Sequence, residues 1–412
     1  MEEFSYRWYN LTDMAKINDY FKRKYEAEKN ESEDYKKKLM RHRMRIFYKI
    51  AIGVAVLIAL VLLIYFNRKN AVYSDYETIN QISYDESLSS SYLNLNGNVL
   101  RYSKDGASAF NMQEDMLWNQ TYEMQNPMID VCGDYAAIGD YKGTCIYVFN
   151  SNGLQGKVET TLPVQNFCVS NTGNVAMVVE EEEITWVKLF NKNGELIAND
   201  RTTMVKSGYP VRVAISDNGI LLGISYIRVD AGVLSSSVAF YNFGAVGQNE
   251  IDNLVSGYDY PESVISEVAF MSDSSSFAVG DDRLIIFSGD QKPEKVAEVP
   301  IEDEINSVFY GTDYVGLVFT DPTSEYTYRL EVYDKTGALD QTYRFDLDYN
   351  DVIFNKDQVV VYNTDECIIF NRNGDEKFHS SFHHSIITLI PTAVSSKYQL
   401  VTGTSMEEIQ LQ

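Results

Sequence analysis

The side chains best suited to moving a proton or holding a metal ion are His379, His383 and His384, in the stretch HSSFHH; the one other histidine is His42. On an extended strand, residues four apart share a face but stand ~13 Å from one another at ~3.3 Å per residue, too far for one zinc ion. The sequence carries no G-x-S-x-G elbow, H-E-x-x-H helix, phosphate-binding loop or G-x-G-x-x-G turn. NRNGDE at 371–376 has oxygen ligands at calcium-like spacing, but the bidentate Glu that closes an EF-hand loop is missing. Cys132, Cys145, Cys168 and Cys367 lie in apolar phrases without C-x-x-C spacing and read as buried thiols, with one disulfide left open. Paired carboxylates of the glycan-cleaving kind are the remaining catalytic chemistry, and among the 50 acidic residues after position 69 no pair stands out. No catalytic residue, metal ligand or cofactor is therefore assigned.

Binding chemistry is better supplied. Trp118, Tyr122, Tyr258, Tyr260 and Tyr326 fall in or near polar insertions, where amphipathic rings serve as contact surface. The run Glu180, Glu181, Glu182 and Glu183 is suited to cations or a basic partner, and equally to a solvated turn. These residues form one surface only if the elements around them place their loops on one side.

Those elements are legible as a repeat. RYSKDG ends at Gly106, VFNSNG at Gly153, LFNKNG at Gly194, VYDKTG at Gly337 and IFNRNG at Gly374, with looser copies at Gly244 and Gly289. Successive glycines are 37 to 50 residues apart, with no helical pattern between them, which is the period of propeller blades. In each word the apolar alternation buries one side of a strand. Asn or Asp then opens a type I turn, and Gly supplies the positive φ that lets the next strand return antiparallel. The words are expected between the third and fourth strands of each blade. Phrases such as FCVSNTGNVAMVV at 167–179 and VAISDNGILLGIS at 213–225 supply the first two. Residues 79–111 read as a complete unit, and 387–411 as three strands of a last blade that a strand near Val72 to Tyr76 completes. The expected fold is all-β, an eight-bladed β-propeller, with seven blades as the alternative.

Because strands alternate in direction, connections from strand two to three and from blade to blade share one face. The insertions 112–127, 201–210, 228–237, 245–263 and 321–329 are expected there, making it the binding face.

Before the repeat, Ile50 to Phe66 is free of charge and the apolar stretch reaches back to Ile46, long enough to span ~30 Å of hydrocarbon as a helix. Seven basic residues from Lys36 to Lys49 precede it and only Arg68 and Lys69 closely follow, so the N-terminus is expected in the cytoplasm and the rest outside. The divisions are a cytoplasmic, helical segment at 1–45, a transmembrane helix at 46–66, a linker at 67–71 and an extracytoplasmic propeller at 72–412. Residues 1–49 carry a net charge of +4, whereas 70–412 carry −30, which repels nucleic acid and anionic lipid.

The N-terminal anchor and the repeated F-N-x-x-G hairpins resemble the uncharacterised membrane-anchored β-propeller proteins of Gram-positive bacteria, and more broadly the quinoprotein-like and WD-repeat propellers. That resemblance implies a cell-envelope location. The chain lacks the tryptophan docking pattern of quinoprotein blades and the Trp-Asp signature of WD repeats, so no quinone cofactor or family site is carried over. Three functions follow as expectations: a binding or scaffold module engaging a protein or cell-envelope partner, a transmembrane sensor whose residues 1–45 hold a cytoplasmic regulator, and an envelope glycan-active enzyme.

Overall fold

The structure is a computed structural model describing residues 6–412 apart from 70, 84–89, 112, 114, 182–183, 204–207, 231 and 356. The chain divides into two units, 1–71 and 72–412. The first is a single α-helix, Tyr6–Lys69, which runs without a break through the expected linker at 67–69 and is long and apolar enough to cross a membrane.

In the second unit the described strands form eight four-stranded antiparallel sheets, the blades of a propeller, which excludes the seven-bladed alternative. Blades 1 to 7 are consecutive: 91–121, 127–159, 164–203, 209–261, 265–300, 305–345 and 351–381. Blade 8 takes three strands from 386–411 and its outermost strand, Tyr76–Ser83, from the other end of the unit. That strand lies a few residues beyond the stretch expected to close the ring. INQIS at 79–83 therefore belongs to blade 8, and blade 1 finds its fourth strand in Met116–Thr121.

Burial explains which sequences became which strands. Blades pack face to face, so a middle strand is covered on both sides and reads as an unbroken apolar run: every residue of Ser275–Gly280 and of Gln358–Tyr362 is buried. Outer strands touch solvent and carry the charge, as in Glu294–Pro300. The core is accordingly divided into wedges, one for each junction between neighbouring blades. Leu95, Leu100 and Ala107 of blade 1, for example, meet Ala136, Ile138 and Phe149 of blade 2.

The F-N-x-x-G words do sit between third and fourth strands, with the expected turn chemistry. Asn191 Oδ1 accepts the N–H groups of Asn193 and Glu195, both at 3.0 Å, and Asp334 Oδ1 those of Thr336 and Ala338 at 2.8 and 3.1 Å. Gly153, Gly194, Gly337 and Gly374 all have positive φ. Gly106 is the exception: it begins the third strand of blade 1, Gly106–Phe110, and its φ is not positive. The corresponding turn of blade 1 follows Phe110, where Asn111 Oδ1 accepts from Gln113 and Asp115.

The ring closes through pairing of Tyr76–Ser83 with Ser405–Leu411, from Tyr76↔Leu411 to Ser83↔Ser405. A buried carboxylate fastens the joint. Glu407 accepts hydrogen bonds from Ser405 Oγ at 2.7 Å and Gln81 Nε2 at 3.0 Å on Oε1, and from Thr78 Oγ1 at 3.0 Å on Oε2.

Candidate functional site

The expected contact residues divide by burial. Tyr122 and Tyr260 are buried, and Trp118 and Tyr258 lie on the outer strands Met116–Thr121 and Leu254–Pro261 rather than in loops. Trp118 stacks on Phe149 of the next blade, with ring centroids 5.0 Å apart and planes 2° from parallel. Tyr258 donates its hydroxyl to Pro293 O at 3.0 Å, and the Tyr260 ring centroid lies 5.7 and 5.9 Å from the cations of Arg283 and Lys295. These four rings fasten blades together. Tyr326 is exposed in a loop, Glu180 and Glu181 end a second strand, and Glu182 and Glu183 lie outside the described residues.

Two insertions also change face. Residues 113, 115 and 243–253 lie between third and fourth strands, with the F-N-x-x-G turns on what we term the hairpin face. The insertions at 228–237 and 321–329 lie on the opposite, crossover face, as expected.

On the crossover face, blade 4 has a projection. Its middle strands, Leu221–Asp230 and Val233–Asn242, pair at ten positions from Leu221↔Asn242 to Asp230↔Val233. The first strand stops at Tyr209↔Ile227 and the fourth at Ser235↔Pro261. Residues 228–230 and 232–234 thus extend past both neighbours as a two-stranded finger with Val229, Val233 and Leu234 exposed. Arg228 at its base pairs with Asp259 at 3.1 Å. The matching turn of blade 5 is only Asp281 and Asp282, and blade 6 rises again as a loop at 321–327. Arg344 Nε at 3.1 Å from Asp321, and Thr327 N at 2.7 Å from Asp346, tie that loop down and leave Tyr326 outward. Between finger and loop stand Glu262, Asp281, Asp282, Glu302, Asp303 and Glu304. Asp282 and Asp303 are paired with Arg283 and Arg329; the other four have no ion pair among the described residues.

A second cluster lies in the bore, where first strands of neighbouring blades converge. Asp130, Cys132, Cys168, Arg212, Asp217 and Tyr310, from blades 2 to 4 and 6, line a cavity of about 110 Å³. Arg212 Nε donates to Glu267 Oε1 of blade 5 at 2.9 Å, and Asp130 Oδ2 accepts Val169 N–H at 2.7 Å. The register explains the pairing: first strands of blades 4 and 5 bulge between Pro210 and Arg212 and between Ile265 and Glu267, so the two residues occupy the same level of adjacent blades. Tyr310 retains 45% of its surface, but that surface opens into the bore, and loss of bulk water still pushes its hydroxyl up to about 12. Burial likewise raises the carboxyls of Asp130 and Glu267, against the pull of Arg212, and raises the Cys132 and Cys168 thiols. All four cysteines are free thiols.

The bore was missed in the sequence because its charges are solitary letters in apolar phrases, Arg212 in VRVAI and Glu267 in SEVAF. Their recurrence at the same point of successive repeats was the available signal. His379 lies apart, on an outer strand of blade 7, with Nε2 2.6 Å from Glu366 Oε1. Among the described residues no group of three or more His, Cys, Asp or Glu could hold a metal ion.

A raised carboxyl pKa makes a signed prediction. The folded state holds the Asp130 proton more tightly than the unfolded chain, so this group's contribution to stability declines as pH rises from its ordinary 3.8 through the raised value, then levels off. Asp130→Asn keeps an acceptor for Val169 N–H and removes the titration. Thermal melts from pH 3 to 8 should find the variant matching the parent at the acid end and gaining on it as pH rises, by ~1.4 kcal/mol for each unit by which the pKa is raised. A constant difference across that range would refute the assignment.

Comparison with known proteins supports the fold. Sqt1 from Chaetomium thermophilum superposes with a TM-score of 0.50 at 12% identity, covering 84% of this chain and 96% of that one. BamB from Moraxella catarrhalis gives 0.47 at 14% identity over 82% and 100% of the two chains, and the Pan2 WD40 domain of Neurospora crassa 0.42 at 9% over 82% and 95%. At such identities the likeness concerns architecture alone. No curated protein matches. A family model covers residues 69–411, nearly the whole propeller, and the chain therefore belongs to DUF5711, a family of unknown function.

Proposed function

We propose that the protein is a binding scaffold held at a membrane by its N-terminal helix, with the propeller outside the cell, and that the crossover face between blades 4 and 6 takes a protein partner. The observation that carries this reading is the finger at 228–234, which exposes Val229, Val233 and Leu234 beyond the edge of its own blade. Exposed apolar side chains grouped on a projecting element mark interaction sites. Four carboxylates between finger and loop that have no ion pair among the described residues, in a body of net charge −30, add a requirement for positive charge. The partner is thus a protein segment presenting Lys or Arg next to apolar residues. Asymmetry of basic residues around the helix supports the orientation. In the bore the Cys132 thiol donates to Asp217 Oδ1 at 3.3 Å, but burial and that carboxylate both raise the thiol rather than favour the thiolate, so a catalytic reading gains nothing from it.

The test is photo-crosslinking in intact cells from position 234, with Asn193 on the hairpin face as control. A partner captured from 234 and not from 193, whose recovery falls at least tenfold in Val229→Ser/Val233→Ser and declines with added salt, is the expected result. Equal capture from both positions, or recovery indifferent to the double variant, would remove the crossover face from consideration.

A further inference from the structure

The bore is a polar site that the docking reading does not use and does not need. Arg212 engages one of its five N–H donors with Glu267, and its terminal nitrogens donate no hydrogen bond among the described residues. Asp130 has Oδ2 occupied by Val169 N–H, and its carboxylate makes no ion pair among the described residues. The two opposite charges are near enough to influence one another yet do not form an ion pair. Opposite charges attract strongly where bulk water is excluded, so something must keep them apart. That is the architecture: Asp130 stands on blade 2 and Arg212 on blade 4, with Phe167, Cys168 and Val169 of blade 3 walling the cavity between them. Glu267 holds the guanidinium through Nε, which fixes the plane of its free edge.

A donor edge and an acceptor oxygen held apart across a small cavity match a ligand carrying both charges. We propose that the bore binds a small zwitterion of the α-amino-acid class, its carboxylate on the terminal nitrogens of Arg212 and its ammonium on the Asp130 carboxylate. Size limits the class further. A dry cavity of about 150 Å³ accepts the six heavy atoms of benzene, so about 110 Å³ takes roughly four or five, the size of glycine. A metal ion does not suit the site, since the donors include a guanidinium.

Titration calorimetry on the full-length protein in detergent tests this with four probes: glycine, L-alanine, and the half-ligands acetate and methylammonium. Glycine should bind, L-alanine more weakly because its methyl exceeds the space, each half-ligand at least tenfold more weakly, and Arg212→Gln and Asp130→Asn should each reduce glycine affinity at least tenfold. Should Arg212→Gln fail to fold, the isosteric Asp130→Asn carries the comparison, with its thermal melt as the check on folding. Acetate binding as tightly as glycine, and unaffected by Asp130→Asn, would make this an anion site. Methylammonium matching glycine would make it a cation site, and no heat from any probe with a folded parent would leave the bore to water. Each of these three results overturns the proposal.

Discussion

Replacing Gly194 with valine is expected to lower the stability of the propeller by about 3–5 kcal/mol, a large share of the ~5–15 kcal/mol that holds a typical domain folded. Two effects combine. Gly194 has φ +83°, a conformation that costs a residue with a Cβ about 1–2 kcal/mol, more when it is β-branched. A Cβ there would also lie 2.4 Å from Lys157 O and 3.7 Å from Val158 Cα, on the outer strand of blade 2. Lys157 cannot retreat freely, because it is paired with Tyr147 in its own sheet. Overpacking against such an element typically costs a further 1–3 kcal/mol. Gly257→Ala is the control: its φ is not positive and a Cβ there meets nothing within 4 Å. Thermal melts of full-length protein in detergent, followed by near-UV circular dichroism, should separate the two variants by many degrees. Coincident melts would show that the blade junction yields at this point.

Glu407→Ala should loosen the ring at its joint and cost about 2–4 kcal/mol. The carboxylate is 4% exposed, has no ion pair among the described residues, and is held by three hydroxyl and amide donors. Hydrogen bonds to a charged group contribute about 1.5–3 kcal/mol each when one partner is removed, partly recovered here because Gln81 can turn to water. Two of the three donors belong to Tyr76–Ser83, so the loss falls on the one place where no peptide bond joins neighbouring strands of the ring. Hydrogen exchange should accelerate at 76–83 and 405–411 well before it does in blade 4. Glu407→Gln, which keeps an acceptor in the same shape, should recover most of the protection. Uniform acceleration around the ring, or none at the joint, would show that Glu407 is not what fastens it.

Much of this architecture was legible because propeller turns are local chemistry. Asn191, its two acceptor contacts and Gly194 lie within five residues, so a single word of sequence contains the whole turn. What such a word omits is its neighbour. The same glycines also sit against the preceding blade, Gly153 on Trp118, Gly194 on Lys157, Gly337 on Ala297 and Gly374 on Gln341, contacts some 30 to 40 residues away in sequence. For the same reason Trp118 and Tyr260 read as loop aromatics although they bind blade to blade. Arg212 and Glu267 became neighbours only through two bulges, and a one-residue insertion in a strand leaves no mark in composition. RYSKDG misled for the opposite reason: Lys104 and Asp105 make a turn of the right composition, one strand too early.

The borrowed strand in blade 8 has a consequence for biosynthesis. Tyr76–Ser83 emerges more than 300 residues before Ser405–Leu411, so a growing chain carries an edge whose mate does not yet exist. Bringing ends so distant together costs roughly 5 kcal/mol of chain entropy, from the logarithmic dependence on loop length. Blades can stack one after another as they are made, but the circle is completed in a single late event, and until then the first strand is free to pair with another polypeptide.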